Sequence, residues 1–156
     1  MIPTPSYAHL SREDFKDVYE PAVYLCTDLN PHATRCTRLT GLSNSIPLNP
    51  VLTDLTSALL PRLERSVDVL VFNPPYVETE DDEAEMAQEG GVIERAWAGG
   101  KGGMRVTDRL LEQVESLLSD RGLFYLVAVP ENKPLEIIEQ MQARGLHGEA
   151  SDWTVN

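Results

Sequence analysis

The stretch Val67 to Tyr76, VDVLVFNPPY, decides how this chain is read. Val67 to Phe72 is a compact run of β-branched and aromatic residues, the composition of a buried strand. Asn73-Pro74-Pro75-Tyr76 then ends it abruptly. Proline cannot donate to a sheet ladder, so the chain must leave the sheet here. Pro75 also pushes Pro74 towards an extended conformation. The product is a stiff turn with a free carbonyl at Pro74 and a second acceptor, the Asn73 side-chain oxygen. Ligands of open α/β sheets bind at the carboxyl ends of the strands, where this turn lies. Two acceptors side by side match the two hydrogens of a planar –NH2 group, and Tyr76 supplies a flat wall for stacking. An amide or exocyclic amine nitrogen is a poor nucleophile because its lone pair is delocalised. Accepting its N–H bonds draws density back to nitrogen, so catalysis would be mostly positioning and electrostatics. The plain alternative is a strand end that uses prolines only as breakers, and the flanking context argues against it.

The neighbouring segments supply the rest of an α/β domain. Residues 1–22 read as an arm with one short helical turn near Arg12 to Asp17. Val23 to Thr27 is a buried strand ending in Asp28. Asn30-Pro31 gives an N-cap and a first-turn proline, and the helix should run from about Pro31 to Leu39 and stop before Gly41. A second strand covers Pro47 to Thr53 and ends in Asp54. Thr56 to Leu63 is at most a short helix, broken by Pro61. The segment from Glu78 to Glu89 carries seven acids and no base and reads as a solvated loop. Met104 to Ser119 places Val106, Leu110, Leu111, Val114, Leu117 and Leu118 on one helical face. A strand follows Gly122, from Leu123 to Val129. A last helix from Pro134 should bury Leu135, Ile138 and Met141 and end at Gly145. Alternating short strands and amphipathic helices predict a mostly parallel sheet. Asp28 and Asp54, each at a strand end, are placed to accept hydrogen bonds from a ribose and from an adenine amino group, although each alone reads as a cap or loop acid.

Composition narrows the function. The chain has 156 residues and a net charge of −12, with 25 acids against 13 bases. Backbone binding of nucleic acid needs a basic stripe to neutralise phosphates, so this balance disfavours DNA or RNA as partner. It suits a small-molecule substrate or a basic protein. No apolar run is long enough to span a membrane, and no signal peptide is visible. Cys26 and Cys36 make neither a disulfide framework nor a zinc site, and read as buried free thiols of a reducing cytoplasmic or nuclear compartment. His9, His32 and His147 form no cluster, so no metal is expected.

Five blocks, VYLCTDLNPHA, PVLTDL, VDVLVFNPPYV, IERAWAGGKGGMRVTDRLL and RGLFYLV, resemble consecutive blocks of the eukaryotic HemK-like glutamine methyltransferases of translation release factors, also described as N6-adenine-specific methyltransferase-like proteins. The likeness covers about Asp17 to Gly148. It implies a Rossmann-like class I fold using S-adenosylmethionine (SAM). Asp28 would bind the SAM ribose, Asp54 and Leu55 the adenine, and Asn73, Pro74, Pro75 and Tyr76 the acceptor amide, with Asn73 also beside the cofactor. It further implies a release-factor glutamine as substrate and a small zinc-binding methyltransferase activator as heterodimer partner. Trp97 falls in a matching block and is placed near the acceptor pocket. Adenine N6 and histone lysine are alternative acceptors.

One feature of the family is missing. Such enzymes carry a glycine-rich cofactor loop after the first strand, and this chain has none. Gly99 to Gly103 is glycine-rich but does not follow a strand and matches a different block. The break falls between Ala22 and Val23, where the first strand, its loop and the flanking helices are absent. The fold class expected is therefore an incomplete Rossmann-like α/β domain lacking its first strand. Its organisation would be an arm (1–22), a partial methyltransferase domain (23–148) and a divergent tail (149–156). The strand at 23–27 would then lie directly beside 67–72. Weak or absent SAM binding follows, as does the alternative of a non-catalytic variant that keeps only partner binding.

Overall fold

The computed structural model describes residues 23–79 and 96–150. The arm, most of the acidic segment and the end of the tail lie outside the described residues. The chain forms two compact units that meet in sequence between Leu52 and Thr53.

The first unit is a strand–helix–strand. Strand β1 (Tyr24–Asp28) pairs in parallel with β2 (Leu48–Leu52), with Cys26 opposite Pro50 and Asp28 opposite Leu52. Helix α1 (Pro31–Ser43) connects them. Its start is as the sequence predicts: the Asn30 side chain accepts from the N–H groups of His32 at 2.8 Å and Ala33 at 3.4 Å. Its end is later than expected. Gly41 does not stop the helix but sits buried inside it. A Cβ there would lie 2.8 Å from the Ile46 carbonyl oxygen and 2.9 Å from the Leu48 side chain, so the glycine lets the helix end lie against β2. Asn44 closes α1 instead, its N–H and its side-chain amide both reaching the Thr40 carbonyl.

The second unit holds the core. Pro61 sits in the first turn of α2 (Leu60–Leu63), so it begins that short helix rather than breaking it. Strand β3 (Val67–Phe72) has the bounds the sequence implies. Helix α3 (Arg105–Leu117) leads without a loop into β4 (Leu118–Leu126), which pairs in parallel with β3. β4 therefore begins before Gly122, not after it. The ladder shifts register between Val67 and Val69. Gly122 lies at that shift, and a Cβ on it would come within 2.6 Å of the Val67 carbonyl oxygen. Helix α4 (Pro134–Ala143) completes the unit.

The core is built on α3. Leu110, Leu111, Val114 and Leu117 are buried with Leu118, Ile137 and Met141, and Leu70, Phe72, Phe124 and Leu126 pack against them from the sheet. The spacing of 110, 111, 114 and 117 is the helical stripe the sequence predicts. The stripe of α4 differs from expectation: Ile137 and Met141 are buried, while Leu135 is 69% exposed. Residues 137 and 141 stand one turn apart on one face, and 135 falls nearly opposite.

Two further expectations are corrected. Among the described residues, the bonded strands are β1 with β2 in the first unit and β3 with β4 in the second, each pair parallel. The expected pairing of β1 with β3 is absent among the described residues. Each strand is bonded to the one that its own helical crossover brings back. Secondly, among the described residues of the second unit, β3–β4 is covered on one face only. Val69, Val71, Leu123 and Tyr125 on the other face are 53–68% exposed, whereas parallel sheets ordinarily bury both.

The two faces should respond differently to substitution. Leu111→Ala opens the core and should cost about 2–5 kcal/mol. Val71→Thr on the open face should cost within about 0.5 kcal/mol. Urea titration followed by far-UV circular dichroism reads both.

Candidate functional site

The Asn-Pro-Pro-Tyr turn leaves β3 as soon as Val127 has donated to the Phe72 carbonyl at 3.0 Å. Asn73 is exposed, Pro74 is buried, and Pro75 and Tyr76 are half-buried. Among the described residues, no hydrogen bond reaches the Asn73 side chain or the Pro74 carbonyl. The prolines have no N–H, so the turn is anchored further on. Val77 donates to the Trp97 carbonyl at 3.1 Å, and Gly99 donates to the Val77 carbonyl at 2.8 Å, forming a short parallel bridge. Thr79 donates its N–H to the Gly100 carbonyl and accepts from Gly100 N–H on its hydroxyl. Glu78 accepts from the Gly102 N–H at 3.2 Å.

The glycine-rich segment is the floor of this turn. Ala98, Gly99, Gly100 and Gly103 are buried. A Cβ on Gly99 would run into the Pro75 carbonyl oxygen, and one on Gly103 into the Tyr76 carbonyl oxygen. Gly103 also has φ +68°, left-handed backbone that only glycine adopts freely. The sequence sets this segment apart from a cofactor loop, but does not show that it carries the Asn-Pro-Pro-Tyr backbone. A second residue escaped the sequence reading altogether. Asn132 is 3% exposed, and its side-chain amide donates to the Tyr76 carbonyl at 3.1 Å and to the Gly102 carbonyl at 2.9 Å. The usable signal was the glycine cluster, since repeated glycines mark a close backbone approach; an isolated Asn after a strand carries none.

The expected cofactor residues are placed as follows. Asp28 belongs to the first unit and is exposed, with one carboxylate oxygen accepting the Asn30 N–H at 2.7 Å. Asp54, in the second unit, is ion-paired with Arg109 of α3. Leu55 adopts φ +48° and packs its side chain against the core. Trp97 is partly exposed and contributes its carbonyl to the bridge. A cavity of about 400 Å³ opens beside Asn132 and is lined also by Met104, Asp108, Lys133 and Ile137; Asn73 does not line it. Burial pushes the Asp108 carboxyl up, and Glu112 one turn along adds to the shift. Burial likewise pushes the Cys26 thiol up. The sequence predicts both thiols buried, but Cys26 is only half-buried and Cys36 is exposed. Among the described residues there is no group of three or more His, Cys, Asp or Glu able to hold a metal, and no helix is long and apolar enough to cross a membrane.

No family model matches the chain. Individual relatives do. It is 41% identical to mouse "Methyltransferase HEMK2", over 94% of this chain and 88% of that protein. The chain belongs to the HEMK2 methyltransferase family. The human protein of the same name is 40% identical, over 93% of this chain and 87% of its own length. The fission yeast "eRF1 methyltransferase catalytic subunit mtq2" is 40% identical, over 81% of this chain and 56% of its own length. The family is one of enzymes, the protein methyltransferases. The alignment with the mouse member runs over 192 residues, more than the 156 of the chain, so part of that relative has no counterpart here.

Methyl transfer requires a methyl donor, which the resemblance read from the sequence expects to be SAM. The residues present fit it only in part. Asp28 keeps one carboxylate oxygen free for a hydroxyl, but Asp54 is already neutralised by Arg109. The glycines that could approach a cofactor closely, Gly99 and Gly103, lie instead against Pro75 and Tyr76. Among the described residues, no glycine cradle follows a strand.

Two substitutions separate space from backbone conformation. Gly102→Ala meets no atom within 4 Å but must hold φ +61°, and should cost about 1 kcal/mol. Gly103→Ala carries the same strain and collides with Tyr76, so denaturant titration should show a clearly larger loss. A carboxyl whose folded pKa is raised contributes stability that is lost as pH rises through that pKa. Asp108→Asn should therefore gain stability on wild type as pH rises from about 4 to 7, read by thermal melts across that range.

Proposed function

We propose that this chain is a SAM-dependent glutamine N-methyltransferase of a translation release factor, with a complete acceptor half and a weakened donor half. The observation that carries the reading is the pair of oxygens at Asn73 and Pro74 that no described residue engages, on a turn whose backbone is fixed from below. The Asn73 side-chain oxygen and the Pro74 carbonyl accept the two hydrogens of the glutamine –NH2. Tyr76 stacks on its plane, and Pro75 keeps the turn rigid. Holding both N–H bonds raises the electron density on the nitrogen and fixes its plane, with the lone pair directed out of it. Pre-set acceptors of this kind need no reorganisation during reaction. Once the nitrogen carries the methyl group it is strongly acidic, and its surplus proton passes along the existing hydrogen bonds to water, so no strong general base is required.

The name of the fission yeast relative, which acts on eRF1, supports the release factor as substrate. The same name, a catalytic subunit, supports a second subunit, and we assign that place to a small zinc-binding activator. A release factor works at the ribosome, so the compartment is the cytoplasm, with the nucleus as a further site. The excess of acids makes nucleic acid the weaker acceptor reading.

On the donor side, the family resemblance, rather than the geometry, assigns Asp28 to the ribose and Asp54 and Leu55 to the adenine, and the pairing of Asp54 with Arg109 is part of what weakens that half. The family's first strand and glycine loop are missing between Ala22 and Val23. The surplus length of the mouse alignment and the open face of β3–β4 both support that deletion. A second reading follows from the same observation: a form that binds release factor and activator without turning over.

Radiolabelled methyl transfer from SAM to a purified release factor, with and without the activator, separates the two. We expect slow transfer to the glutamine of its Gly-Gly-Gln segment, lowered about 10²-fold or more by Asn73→Ala. Capture of the release factor without any transfer selects the non-catalytic form. Neither capture nor transfer defeats both readings.

A further inference from the structure

We propose that Asn132 is the positioning residue of the acceptor turn, the side chain that sets where the Asn73 and Pro74 oxygens point. The proposal rests on the reading of that turn as the amide-binding element.

Two consecutive prolines leave Asn73 to Tyr76 with few donors of their own, so the turn is fixed through its carbonyls. The carbonyl that closes it, on Tyr76, is held by the Asn132 side-chain amide at 3.1 Å. The same –NH2 group holds the Gly102 carbonyl at 2.9 Å. The Asn132 side-chain oxygen accepts the Val129 N–H at 3.0 Å. Both donor hydrogens and one acceptor site are thus used, in a residue only 3% exposed. These partners also settle which way the amide faces. Turned over, its oxygen would confront two carbonyl oxygens and its –NH2 an N–H. The residue is itself held: its N–H donates to the Val129 carbonyl at 3.0 Å, and Lys133 after it takes left-handed backbone with φ +53°.

Asn132 therefore joins the end of the acceptor turn, the turn at Lys101–Gly103 and the connection from β4 to α4. Fixing the Tyr76 carbonyl fixes the peptide plane that follows the Tyr76 ring, and the stiffness of Pro74 and Pro75 transmits that setting back to Asn73. A neutral amide is required. A carboxylate of the same shape keeps the bond from Val129 but turns an oxygen towards two carbonyls.

The test compares wild type, Asn132→Asp, Asn132→Ser and Ile137→Val. The last is a core change in α4, outside the acceptor turn and its hydrogen bonds, chosen to match the loss of stability. Affinity for a Gly-Gly-Gln peptide is read by calorimetry at pH 7.5 and 5.5. Amide exchange at Val77, Gly99 and Gly103 is read by NMR. Asn132→Asp should bind at least about tenfold more weakly at pH 7.5, and recover in part at pH 5.5 as the carboxyl gains a proton and one donor returns. Ile137→Val should bind as wild type does. If Asn132→Asp does not fold at pH 7.5, Asn132→Ser, whose hydroxyl is too short to span both carbonyls, is read in its place. Wild-type affinity and exchange in the Asn132 variants would overturn the proposal, as would an equal loss in Ile137→Val. If wild type itself binds no peptide, the acceptor reading fails. The exchange data then decide the positioning claim alone: faster exchange at Val77 and Gly103 in Asn132→Asp, absent in Ile137→Val, upholds it, and unchanged exchange sinks it.

Discussion

A backbone that passes through two successive prolines has lost the donors with which chains usually hold themselves in place. The second unit is arranged around that deficit. The turn after β3 offers oxygens and almost no N–H groups, so the surrounding structure must supply donors to the carbonyls that need fixing and leave alone those kept for a ligand. Val127 serves the Phe72 carbonyl on one side of the turn, and Asn132 serves the Tyr76 carbonyl on the other. Between them Asn73 and Pro74 receive nothing from the described residues. The division of carbonyls into held and unheld is what makes the turn a candidate site rather than a strand end.

The supports come from well-packed structure. Helix α3 carries the buried stripe of Leu110, Leu111, Val114 and Leu117, and its first residue, Arg105, donates its N–H to the Gly99 carbonyl at 3.0 Å. The glycine floor is thereby tied to the start of the best-packed helix. α4 brings Ile137 and Met141 into the same cluster, a few residues after Asn132. Geometry at the turn is inherited from the core through these short connections, as precise sites on rigid elements require.

Much of this was legible in the sequence, for identifiable reasons. The bounds of β3, the buried stripe of α3 and the Asn-Pro-Pro-Tyr stop are legible because each is a local pattern: a run, a stripe and a pair of prolines. The expected helix runs on to Ser119, however, whereas Leu118 already belongs to β4, and among the described residues β3 is buried on one face only. The start of α1 was legible because Asn30-Pro31 is a cap signal with its own hydrogen bonds. Errors came where distant contacts overrule local rules. Gly41 looked like a helix terminator and is a point of close packing. Gly122 looked like the gap before a strand and lies within one. Leu135 was placed inside by a shift of two positions in the helical phase. Asn132 was invisible because its importance lies in two carbonyls that are 56 and 30 residues away in the chain.

The uncovered face of β3–β4 has a consequence for the chain in solution. Valine, leucine and tyrosine side chains that parallel sheets normally hide stand open to water there. Two copies meeting through such faces would gain by dehydration, and the force that opposes their meeting is the mutual repulsion of molecules carrying a charge of −12 each. That repulsion reaches about 10 Å in 0.1 M salt and about 3 Å at 1 M, while the attraction between apolar surfaces does not fade with ionic strength. The expected consequence is a dependence on counterions: dilute electrolyte favours dispersed molecules, and concentrated salt removes the charge barrier to contact between these faces.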